Sequence, residues 1–129
     1  MVLSFDAAGP RLLTPSDVRD LARRLDLRPS KRLGQNFVVD PSAIRRIVAA
    51  ARLAPGQRVV EVGAGLGCLT LGLLEAGASV LAIEVDPRLA SALPGTLAAF
   101  SASYMPDAVP SLPGAASFRS AGPGLRPFE

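Results

Sequence analysis

Glu61-Val62-Gly63-Ala64-Gly65-Leu66-Gly67 sets three glycines at alternate positions directly after a β-branched run. Glycine there lets backbone approach a ligand closely, and the turn directs N–H groups at it near the start of the next helix. Glu84 lies 21 residues after Gly63, at the end of a second apolar run. A carboxylate at that point can accept hydrogen bonds from both hydroxyls of a ribose. Glycine turn and carboxylate together describe a site for a nucleoside-bearing ligand, and the spacing of Glu84 suits NAD as well as other adenosine cofactors. An NAD-dependent oxidoreductase would carry Gly-x-Gly-x-x-Gly, but the third glycine position is Cys68, which speaks against it. Glu61 reads either as a solvent-facing strand residue or as a contact that shapes the loop. There is no histidine, which excludes Ser-His-Asp and Cys-His catalysis. With a single cysteine besides, no metal site is expected.

The elements around these residues follow from period and punctuation. Arg58 to Val62 is a short β-branched strand. Leu69 to Glu75 is apolar at helical spacing, with Gly77 as its stop, and Ser79 to Glu84 is a second strand. Asp86-Pro87 opens another helix carrying Leu89, Ala90 and Leu93. Strand, glycine turn, helix and strand make a βαβ unit of a parallel sheet. Upstream, Thr14-Pro15-Ser16-Asp17 is a helix start whose stop is Arg28-Pro29. Asp40-Pro41 starts a second helix that should end before Pro55-Gly56.

Composition sets limits on partners. The 129 residues carry a net charge of +3, unevenly spread. Arg11 to Arg58 holds eleven basic residues against four acids, whereas 59–129 holds three against six. A basic front end suggests a polyanion partner. No apolar run is long enough to span a membrane. The first ten residues lack a secretory signal, and one cysteine fits a reducing compartment, so a cytoplasmic location is expected. From Ser101 to Glu129 the pattern collapses into five Pro, three Gly, five Ser and five Ala, which reads as a disordered tail.

Glu-x-Gly-x-Gly-x-Gly resembles the first motif of S-adenosylmethionine-dependent methyltransferases. Lys31-Arg32-Leu33-Gly34-Gln35-Asn36-Phe37-Val38-Val39-Asp40 is more specific. It closely resembles the K-R-x-G-Q-N-F-L-x-D motif of the ribosomal RNA adenine dimethyltransferases. That family includes small-subunit enzymes and the macrolide-resistance enzymes that modify large-subunit 23S rRNA. The helix from Thr14 to Leu27 favours the small-subunit branch. The resemblance covers roughly residues 12 to 100. It implies an α/β, partial Rossmann-like methyltransferase fold, made of N-terminal helices and a first βαβ unit. It also implies S-adenosyl-L-methionine as cofactor and 16S rRNA adenine N6 as substrate. Asn36, Val38, Gly63, Gly65 and Glu84 would bind the cofactor, and Lys31 and Arg32 the rRNA backbone.

The family's Asn-Leu-Pro-Tyr motif, which orients the adenine amine, has no counterpart in the sequence, and the single tyrosine, Tyr104, does not fit it. The expected organisation is an extension over 1–13, a basic helical segment over 14–56, an incomplete methyltransferase domain over 57–100 and the tail over 101–129. Such a chain reads as the inactive head of a dimethyltransferase, with the tail a frame-shift product. A noncatalytic RNA-binding fragment is the competing reading. A sheet of two strands predicts marginal folding, as a monomer or an aggregate.

Overall fold

The computed structural model describes residues 11–28, 40–100, 104–106 and 115–120. Helix α1 spans Pro15–Arg24 and begins in a full capping box. The Thr14 hydroxyl accepts from the Asp17 amide at 3.2 Å, and the Asp17 carboxylate accepts from the Thr14 amide at 2.8 Å. Arg11 adds an ion pair to Asp17 at 2.9 Å, and chiefly for that reason the Asp17 carboxyl is lowered to about 2. The helix stops short of Arg28-Pro29. Asp26 takes a left-handed conformation (φ 48°), and the amides of Asp26 and Leu27 turn back to the carbonyls of Arg23 and Ala22. That is a Schellman stop, in which the chain satisfies its last carbonyls before the proline acts.

Helix α2 spans Pro41–Ala51; Asp40 caps it by accepting from the Ser42 amide at 2.9 Å. Strand β1 (Arg58–Val62), helix α3 (Cys68–Glu75) and strand β2 (Ser79–Ile83) form the expected βαβ unit. The strands are parallel, with Arg58 opposite Ser79 and Val62 opposite Ile83. Helix α4 (Pro87–Phe100) follows and runs through Pro94.

Two stretches of the segment read as disordered are in the sheet. Strand β3 (Tyr104–Pro106) and strand β4 (Ala115–Ser120) extend it in the order β1-β2-β4-β3. β4 lies antiparallel to β2, and β3 antiparallel to β4. The open edge of β2 offers unpaired backbone groups, and pairing with them needs no side-chain alternation. The remainder of 101–129 lies outside the described residues.

The core sits between α3 and one face of the β1–β2 pair. Leu71, Leu74, Val80, Leu89 and Leu97 are fully buried. α2 packs so closely on α3 that a Cβ at Gly72 would run into Ile44 Cγ2. Leu12 and Leu13, assigned by the sequence to an N-terminal extension, are buried in this core. Next to them the Arg11 amide donates to the Phe100 carbonyl at 2.8 Å, and its guanidinium lies 4.6 Å from the centre of the Phe100 ring. No helix among the described residues is long and apolar enough to cross a membrane.

Candidate functional site

The site is built where β1 turns into α3. Gly63, Gly65 and Gly67 have φ of 80°, 59° and 94°, a region that side-chain-bearing residues rarely adopt. A Cβ built on Gly63 meets nothing within 4 Å among the described residues, which leaves space beside this backbone for a ligand.

The turn's amides are more occupied than the sequence suggests. Gly63 donates to the Ile83 carbonyl at 2.7 Å, and Gly67 to the Ala64 carbonyl at 3.0 Å. Gly65 donates to Glu84 Oε2 at 2.7 Å. The N-terminus of α3 has no side-chain cap, and its first helical donor is Leu71. The amides of Leu69 and Thr70 therefore have no acceptor among the described residues.

Glu84 follows the last residue of β2 and is held from both sides. Its Oε2 takes the Gly65 amide and its Oε1 takes the Asp86 amide, at 2.9 Å. Each oxygen keeps a further lone pair, which is the capacity needed for two ribose hydroxyls. Asp86 is buried at the head of α4. Its Oδ1 accepts from the Arg88 amide at 2.9 Å, and its Oδ2 pairs with Arg88 Nη2 at 3.1 Å. One relay of backbone amides and carboxylates thus joins the glycine turn to the start of α4.

Glu61 is not solvent-facing. It is 6% exposed, under α3, and its Oε2 accepts from the Thr70 hydroxyl at 2.6 Å. Burial pushes its carboxyl up to about 7; the Thr70 hydrogen bond opposes this and the charge of Glu84 adds to it. The same burial pushes the Cys68 thiol up to about 11, so it is protonated at neutral pH and is a poor nucleophile.

The structure brings Gly63, Gly65 and Glu84 together at the turn between β1 and α3. Lys31, Arg32, Asn36 and Val38 lie outside the described residues. Two contributors were missed. Thr70 carries no motif, and its pairing with Glu61 needs the helix to fold back over the strand. Asp86 was visible as a helix start but not as a support for Glu84.

A family profile described as ribosomal RNA adenine dimethylase matches residues 27–102. A ribosomal RNA small subunit methyltransferase A from Thermobifida fusca is 60% identical over 99 residues, which is 77% of this chain and 34% of that protein. The protein of the same name from Corynebacterium jeikeium is 62% identical over 87 residues, or 67% of this chain and 28% of its own length. The one from Kineococcus radiotolerans is 62% identical over 88 residues, or 68% and 29%. The chain spans about a third of the length of these relatives. The matched region contains the glycine turn, Glu61, Thr70, Glu84 and Asp86, and over it the chain belongs to the ribosomal RNA adenine dimethylase family.

Proposed function

We propose that this chain is the methyl-donor-binding part of an S-adenosylmethionine-dependent rRNA adenine N6,N6-dimethyltransferase acting on small-subunit rRNA in the cytoplasm. One observation carries the reading: Glu84, fixed by the amides of Gly65 and Asp86, stands beside the open backbone of Gly63. These residues fit the cofactor. Glu84 would accept the ribose hydroxyls, and Gly63 would let the methionine portion lie against the turn. The free amides at the start of α3 suit a carboxylate. When bound, the cofactor supplies a methyl group on a positively charged sulfur. The protein's part is to hold that group still and keep it oriented, which lowers the entropic part of the barrier.

Among these 129 residues there is no Asn-Leu-Pro-Tyr motif to hold the adenine amine. The chain by itself should therefore bind the donor and transfer nothing. Titration calorimetry should show S-adenosylmethionine binding that is weakened at least about tenfold by Glu84→Ala, given what a hydrogen bond to a charged group contributes. Unchanged affinity in that variant, or methylation of 16S rRNA by the purified chain, would refute this assignment.

The RNA side rests on a different observation. Arg19, Arg24, Arg28, Arg46 and Arg52 are exposed and form no ion pair among the described residues. Cations left open on α1, after it and around α2 suit phosphate contacts, with Lys31 and Arg32 adding to them. This supports rRNA as the partner, and it is also what a noncatalytic RNA-binding role would use.

A further inference from the structure

We propose that Glu61, acting with Glu84, makes this site discriminate by charge between the methyl donor and the demethylated product. The proposal rests on the cofactor reading above and deepens it. Both side chains are buried, at 6% and 8% exposure, Glu61 on β1 and Glu84 directly after the end of β2. No Arg or Lys among the described residues pairs with either. Between described residues the ion pairs are Arg11–Asp17, Arg23–Asp20, Arg45–Glu75 and Arg88–Asp86. Glu84 receives two amides, whereas Glu61 receives one hydroxyl, from Thr70. Its second oxygen has no donor among the described residues.

Buried carboxylates without a counter-ion are costly. S-adenosylmethionine carries a sulfonium and an ammonium against one carboxylate, a net charge of +1. Loss of the methyl group leaves a neutral thioether, and the product S-adenosylhomocysteine has no net charge. The donor therefore relieves the site's unbalanced negative charge and the product does not. Spent cofactor is released because the attraction that held the donor leaves with the methyl group.

Glu61 is the member whose proton reports this. The groups that face it are Thr70 and Cys68 from α3 and Glu84 beyond the end of β2. From α4, Arg88 is committed to Asp86, and from α2, Arg45 to Glu75. Burial raises the Glu61 carboxyl to about 7, so it exchanges its proton in the neutral range. A cationic ligand favours its ionised form, so donor binding expels a proton and weakens as the pH falls.

Calorimetry on the full chain with both ligands, in buffers of different ionisation heat, tests this. Donor affinity should drop about tenfold between about pH 8 and about pH 6, with proton release, while product affinity changes less than about twofold. Glu61→Gln should remove the pH dependence that the ligand's own titration does not explain, and should leave product affinity near that of the parent. Product affinity and a circular dichroism melt check that this variant is folded. The donor–product contrast in the parent chain needs no variant at all. If both ligands bind and follow pH alike, or if Glu61→Gln keeps the parent's profile, charge discrimination is wrong and the cofactor reading stands. If neither ligand binds at any pH, both fall together.

Discussion

The β1–β2 pair has two faces of similar composition and opposite fate. On one face Glu61, Val80 and Ala82 lie buried beneath α3. On the other, Val60 is 61% exposed and Val62 80%, with Ile83 and Val85 also exposed. Strands that are apolar on both sides have the composition of a sheet sandwiched between two layers. One layer, α3 with α2 and α4 around it, carries the stability of the described residues. It is also the side on which Glu61 meets Thr70.

The contrast can be broken or sharpened. The largest effect belongs to the covered face. Leu71→Ala should cost about 2–5 kcal/mol in denaturant unfolding, because Leu71 is fully buried and its loss leaves a cavity. Next comes the buried carboxyl of that face. Glu61 is raised in the folded chain from 4.5 to about 7, so the folded state holds the proton more tightly. Stability should fall as pH rises from about 4.5 to about 7 and level off above, by a total of order 1–3 kcal/mol. In Glu61→Gln that slope should vanish from a series of urea melts. The smallest effect belongs to the open face, where Val62→Thr should shift stability by no more than about 0.5 kcal/mol. A cost close to that of Leu71→Ala would mean that this face is covered in solution.

Much of the fold was legible because its signals are local. Thr14, Pro15 and Asp17 announce α1, and Asp40-Pro41 announces α2. The switch from β-branched run to alternate glycines fixes the β1–α3 boundary. The site was legible where one motif lies close to another, as with Gly63, Gly65 and Glu84. The partnership of Glu61 with Thr70 was not, because valines occupy both sides of β1 and hide which face is covered. The antiparallel pairing of β4 was hidden for a different reason. It depends on backbone groups along β2, and the run Ala-Ala-Ser-Phe-Arg-Ser carries no alternation to announce it.

The clasp between Arg11 and Phe100 has a consequence in time. The two residues are 89 positions apart, and Leu12, Leu13 and Val18 are buried in the same core as the side chains of α4. A chain made from its amino end first exposes these side chains to water while the surfaces that will cover them do not yet exist. Long-range contacts of this kind wait for the intervening segment to close. Among the described helices α1 is therefore the first to be synthesised and among the last to dock, and aggregation competes with docking until α4 has emerged.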